Sequence, residues 1–160
     1  MRDNEADILI VGAGPTGLLA ANLLGQAGVS VLLIDKSKEP LNLPRAISLD
    51  DEGCRSIDMA GLGRGLDSIK RAGEGSRYLD ESGQIVGEVG PGPVEYGWPK
   101  RNIFHQPQLE AILIAGVDRL QHVRMPSMMS LGFQKTSHFH CCVDTLLFWI
   151  VTAMTLLLGR

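Results

Sequence analysis

The sequence predicts an α/β fold built on a parallel sheet, and three observations within residues 7–35 predict it. A short, unbroken apolar run, Ile8-Leu9-Ile10-Val11, is followed at once by Gly12-Ala13-Gly14-Pro15-Thr16-Gly17. Leu18, Leu19, Ala20, Ala21, Leu23 and Leu24 then recur with helical spacing. A second apolar run, Val29 to Ile34, closes on Asp35. Strand, glycine turn, helix and second strand in that order make a βαβ unit.

Each element has a physical basis. Four consecutive apolar residues suit a strand covered by helices on both faces. In the G-x-G-x-x-G arrangement Gly12 permits the tight turn, Gly14 lets a pyrophosphate reach the backbone, and Gly17 lets the helix lie against the strand. Pro15, beside Thr16, fits the first helical turn, where its missing N–H needs no partner. Gly28 is placed to stop the helix. Asp35 stands about 20 residues beyond the glycines, where a carboxylate accepts hydrogen bonds from an adenosine ribose. The expected ligand is a dinucleotide. A carboxylate at this position repels a 2′-phosphate, which favours FAD or NAD over NADP, and the motif does not choose between those two.

Composition narrows the classes. A chain of 160 residues has room for one domain, or one domain and a tail. Fifteen Lys+Arg against 18 Asp+Glu give a formal charge of −3, without the basic surplus of a nucleic-acid binder. Cys54, Cys141 and Cys142 are too few and too badly spaced for a disulfide framework, so a reducing, cytoplasmic compartment is expected. The polar residues 1–5 carry no secretory pattern.

Lys36 to Pro44, broken by Pro40 and Pro44, reads as a loop leaving the carboxyl end of the second strand, the edge at which open sheets bind ligands. Arg45 sits there, either near the cofactor's phosphates or as a solvated loop arginine. Asp50, Asp51 and Glu52 open a helical segment through Leu62 with a Gly61/Gly63 ending; three acids there complement the helix dipole. Two short strands about Glu81-Ser82-Gly83, spanning Arg77 to Val89, predict a β-hairpin inserted off the main sheet. Gly90 to Pro99 is irregular, with Tyr96 and Trp98 read as packing residues.

Pro107 then introduces a helix from Gln108 to Leu120, with Leu109, Ile112, Leu113 and Val117 on one side, and His105 beside its start reads as structural. His122 to Met125 begins another strand. Beyond it the character changes. Ser137-His138-Phe139-His140-Cys141-Cys142 places its ligand types too close together for one tetrahedral centre, so no metal site is expected. Thr145 to Leu158 is strongly apolar but shorter than the roughly 20 residues that span a bilayer. It reads either as a membrane-associated helix or as a buried or non-native tail.

Asp7 to Gly17, the Pro44-Arg45-Ala46 turn, the Asp50-Asp51-Glu52 helix start and Phe104-His105-Gln106-Pro107-Gln108-Leu109-Glu110 together resemble the N-terminal part of the FAD-dependent aromatic hydroxylases. These flavin monooxygenases are similar to para-hydroxybenzoate hydroxylase, and within them this sequence resembles above all the 3-(3-hydroxyphenyl)propionate hydroxylase branch. The resemblance covers roughly residues 7–125. It implies a partial Rossmann-like FAD-binding domain over residues 1–125 and a divergent tail over 126–160, with an apolar helix or tail at its end. It also implies FAD, held by Gly12, Gly14, Pro15, Thr16, Gly17 and Asp35, with Arg45 near the phosphate and ribityl region and Gln106 hydrogen-bonded to the ribityl or pyrophosphate portion. In the family NADH or NADPH reduces the flavin, and oxygen then supplies a hydroxyl group to a phenolic ring. The later Asp-Gly and Gly-Asp flavin motifs of the family are not recognisable here, nor is its substrate domain. The expectation is therefore an FAD-binding portion that is inactive alone; a non-catalytic dinucleotide-binding remnant tethered through residues 145–158 is the alternative.

Overall fold

The computed structural model describes residues 6–37, 42–95 and 97–126. Strand β1 (Ile8–Val11) leads into helix α1 (Pro15–Gln26) and strand β2 (Val31–Ile34), the expected βαβ unit. β1 and β2 pair in parallel, from Ile8 opposite Val31 to Val11 opposite Ile34. Gly28, at φ +79°, follows α1 in the left-handed region that glycine reaches without strain.

Strand β3 (Ser48–Asp50) and helix α2 (Asp51–Met59) come next. Asp50 caps α2, its carboxylate accepting from the Gly53 N–H at 2.8 Å. The three acids that looked equivalent have three different roles. Asp51 is fully buried and meets Lys100 Nζ at 3.2 Å, whereas Glu52 pairs on the surface with Arg55 at 2.7 Å. Gly61 (φ +69°) ends this segment, but Gly63 opens a further helix, α3 (Gly63–Ile69), instead of closing α2.

Strand β4 (Arg71–Ala72) precedes the hairpin of β5 (Ser76–Leu79) and β6 (Ile85–Val89), which forms a separate two-stranded sheet as expected. Asp80 organises its turn by accepting from the N–H groups of Ser82 (2.8 Å) and Gln84 (2.9 Å). Trp98 packs against the core; Tyr96 lies outside the described residues. Strand β7 (Arg101–Ile103) pairs antiparallel with both β3 and β4, giving a small sheet of order β3-β7-β4.

Helix α4 (Gln106–Val117) begins two residues before the expected start, with Pro107 in its first turn, and ends before Leu120. Strand β8 (Val123–Arg124) then returns to the main sheet, parallel to β2, completing the order β1-β2-β8. The core joins Ile10, Val31 and Leu33 of the sheet to Leu18 and Ala21 of α1, Cys54 and Ile57 of α2, and Leu109, Leu113 and Val117 of α4. Asn22 pins α1 to α4: its amide donates to the carbonyls of Leu18 (2.8 Å) and Leu113 (2.9 Å).

The expected two-sided burial of β1 does not hold. Side chains alternate along a strand, and Ile10 is buried while Leu9 is 53% and Val11 70% exposed. Among the described residues no element covers that second face.

Ser137–Cys142 and the apolar segment 145–158 lie outside the described residues. Among the described residues no helix is long and apolar enough to cross a membrane, and no cluster of three or more His, Cys, Asp or Glu could hold a metal ion.

Candidate functional site

The glycine loop leaves the carboxyl end of β1 beside the end of β2. Gly12 adopts φ +112°, a backbone conformation that other residues rarely take, and its N–H donates to the Ile34 carbonyl at 2.7 Å. A Cβ on Gly17 would overlap the Gly12 carbonyl oxygen and lie 3.3 Å from Ile10 Cγ2, so this glycine lets α1 press onto the loop and strand. Gly14 differs. It has an extended backbone (φ −78°, ψ −179°) that any residue can adopt, and a Cβ there would meet nothing within 4 Å. Glycine at that position leaves space above the loop without being required by the fold.

Helix α1 starts at this open surface. No side chain caps it, and no acidic residue occupies its first turn. The first N–H groups of a helix have no intrahelical acceptors, and with the helix dipole they favour an anion. Thr16, exposed in that first turn, and Pro15 border the same opening.

Asp35 closes the other side. One carboxylate oxygen accepts from the Ala13 N–H at 2.7 Å, inside the glycine loop, and the other from the Ser37 N–H at 2.7 Å. The Ser37 N–H is the main influence holding its carboxyl below the usual carboxylate range; the Ala13 N–H and Lys36 add to it, and partial burial opposes them. Asp35 is therefore an anion at neutral pH, and each oxygen keeps acceptor capacity beyond these bonds.

Arg45 and Gln106 form a second cluster. The Gln106 side-chain oxygen accepts from the backbone N–H groups of Arg45 (3.1 Å) and Ala46 (2.8 Å), and its amide nitrogen donates to Glu110 Oε1 at 2.7 Å. Gln106 and Glu110 are both buried, whereas Arg45 is exposed. These protein partners engage the Gln106 oxygen and one amide hydrogen, and the cofactor contact that the resemblance implies is a separate one. Glu110 was not singled out from the sequence. Beyond its place in the Phe104–Glu110 motif, its signal there is the four-residue spacing from Gln106 on a helix, which brings two side chains to one face.

Two other residues have structural roles. The His105 carbonyl accepts from the N–H groups of Gln108 (3.0 Å) and Leu109 (3.2 Å) at the start of α4, and its side chain makes no capping bond. Burial pushes the Cys54 thiol up to about 11, which leaves it a poor nucleophile at neutral pH.

An open glycine loop, an uncapped helix start and an anionic acceptor at the end of the second parallel strand define the nucleotide end of a dinucleotide-binding α/β domain. The FAD binding domain family matches residues 5–127, and the chain belongs to that family. FAD is accordingly its cofactor, and the residues at the loop fit the anionic pyrophosphate and hydroxyl-bearing ribose of that molecule.

Among its relatives is the 3-(3-hydroxy-phenyl)propionate/3-hydroxycinnamic acid hydroxylase of Comamonas testosteroni, 41% identical over 122 residues that make up 76% of this chain and 21% of the relative. The enzyme of the same name from Escherichia coli (strain K12 / DH10B) is 38% identical over 122 residues, 76% of this chain and 22% of the relative. The chain thus spans about a fifth of the length of these curated relatives. In fold it is similar to the flavin-dependent monooxygenase PieE, solved in complex with FAD and substrate, with a TM-score of 0.64 at 24% identity over 78% of this chain and 24% of that one.

Proposed function

We propose that this chain supplies the ADP half of the FAD site of an NADH- or NADPH-dependent monooxygenase that hydroxylates a small phenolic compound. The 41% identity to a 3-(3-hydroxy-phenyl)propionate hydroxylase across the whole glycine-loop domain carries this reading. When bound, FAD supplies the redox chemistry that links a nicotinamide reductant and oxygen to hydroxyl transfer.

The chain's own residues bind and orient. Gly14 leaves the surface over which the pyrophosphate approaches, and the N–H groups of Thr16 and Gly17 in the first turn of α1 donate to it. Asp35 accepts from the adenosine ribose while its bond to the Ala13 N–H keeps the loop in register with β2. The Arg45 guanidinium, exposed on its turn, offers planar donors to phosphate oxygens. Gln106 belongs to this site through the Arg45 turn it holds. The three cysteines, unsuited to a disulfide framework, favour a cytoplasmic setting.

For the 160 residues by themselves the proposal is FAD binding without turnover, because the match to the relatives ends after about a fifth of their length. Titration of the purified chain with FAD and with NAD tests the first half: FAD is expected to bind in preference, and a preference for NAD would overturn it. Addition of 3-(3-hydroxyphenyl)propionate and oxygen to the FAD-loaded chain tests the second. No phenol-dependent oxidation of NADH or NADPH is expected, and sustained turnover would refute the claim.

A further inference from the structure

We infer that Gln106 and Glu110 are a pair of positioning residues whose task is to hold the Arg45 turn in place; this rests on the placement of Arg45 at the cofactor proposed above. Among the described residues the turn has few attachments. Leu43 and Ile47 on either side of Pro44-Arg45-Ala46 are 55% and 68% exposed, so burial does not anchor it. Among the described residues these attachments are the bond from the Phe104 N–H to the Ile47 carbonyl (3.2 Å) and the two N–H groups, of Arg45 and Ala46, that converge on Gln106 Oε1.

Glu110 makes that anchor directional. A primary amide can be flipped end for end with little change of shape, and here only one orientation satisfies the chemistry. With the oxygen facing Arg45 and Ala46, two N–H donors meet an acceptor, and the amide N–H meets the Glu110 carboxylate at 2.7 Å. The reverse would set donors against donors and an oxygen against a carboxylate. Both side chains are 5% exposed, so water has little access to relieve such a clash. The pair sits one helical turn apart in the first two turns of α4. Through it, a rigid helix in the core fixes the backbone from which the exposed arginine projects.

The experiment combines amide exchange with FAD titration. In Gln106→Leu, hydrogen exchange at the Arg45 and Ala46 amides is expected to quicken, and FAD affinity to fall about tenfold, since two backbone hydrogen bonds of modest net strength are lost. In Glu110→Gln, which keeps an acceptor oxygen at the same place, both are expected to stay near wild type. The double variant Gln106→Leu/Glu110→Leu leaves no buried carboxylate without a donor and keeps the test valid should the single variant fold poorly. In an Arg45→Ala background the effect of Gln106→Leu on FAD affinity is expected to shrink below about twofold, because a positioning residue has nothing left to position.

An equal loss in both backgrounds would overturn the inference, since Gln106 would then act on the ligand itself or on the fold at large. Unchanged exchange at residues 45 and 46 would overturn it as well. Arg45→Ala alone leaving FAD affinity intact is a separate failure. It would refute the proposed placement of Arg45 at the cofactor, and with it any effect of the pair on FAD, whereas anchoring of the turn is judged by exchange.

Discussion

Adding one methyl group at Gly17 tests the packing on which the glycine loop depends. In Gly17→Ala the new Cβ overlaps the Gly12 carbonyl oxygen and lies 3.1 Å from the Gly12 carbonyl carbon and 3.3 Å from Ile10 Cγ2. The obstacle is backbone. It cannot retreat freely, because Gly12 already sits at φ +112° with its N–H bonded to the Ile34 carbonyl at 2.7 Å. Overpacking of this kind costs about 1–3 kcal/mol, and an obstacle without a flexible end puts Gly17 at the upper limit. Alanine's advantage over glycine within a helix returns at most about 1 kcal/mol. The expected net loss is about 2 kcal/mol, a large share of a typical domain's stability. Urea unfolding followed by far-ultraviolet circular dichroism measures it. Gly87→Ala serves as control, since its Cβ would meet nothing nearer than Tyr78 Cδ2 at 3.6 Å. Stability equal to or above wild type in Gly17→Ala would refute the claim that this glycine is required by close helix–strand contact.

The same reasoning extends to two other positions. In Gly116→Ala the Cβ overlaps Asn22 Oδ1 and comes within 3.0 Å of Leu62 Cδ1, so the α1–α4 contact is expected to lose about 1–3 kcal/mol in the same unfolding assay. For Asp35 the direction of pH dependence follows from its lowered carboxyl: its contribution to stability is fully present above the ordinary carboxylate pKa and is lost as pH falls through the lower folded value. The stability difference between wild type and Asp35→Asn is therefore expected to be largest above about pH 5 and to shrink below about pH 4. A difference that grows on acidification would contradict the assigned bonds to Ala13 and Ser37.

The βαβ unit was legible because its signals are local. Ile8 to Val11, the glycines, the apolar helix positions and Asp35 lie within 29 consecutive residues, and each states its conformation through its own chemistry. The hairpin turn was legible for the same reason, since Asp80, Ser82 and Gly83 build it among themselves. The β3-β7-β4 sheet was not. Its strands are two or three residues long and pair across the chain, Ser48 with Ile103, so no periodicity can accumulate in any one of them. Asp51 stands at the helix start as read, but its burial and its pairing with Lys100, 49 residues away, left no local signal that set it apart from Asp50 and Glu52. The exposure of Leu9 and Val11 was hidden in the same way, because an apolar run records what a strand tolerates and not which neighbours cover it. At the site the residue types were readable, but the direction of the Gln106 amide was not. It is set by contacts to Arg45, Ala46 and Glu110 that join a loop to a helix about 60 residues later.

The glycine loop as the seat of the FAD pyrophosphate is tested most directly by Gly14→Val. The backbone there is extended and a Cβ meets nothing within 4 Å, so the fold should tolerate the change, with at most about 1 kcal/mol lost for a poorer helix cap. A branched side chain nevertheless occupies the space through which the pyrophosphate approaches. Titration with FAD, with the unfolding midpoint measured in parallel, is expected to show affinity at least about tenfold weaker in a variant that remains folded. Unchanged FAD affinity in that folded variant would show that the cofactor's phosphates lie elsewhere.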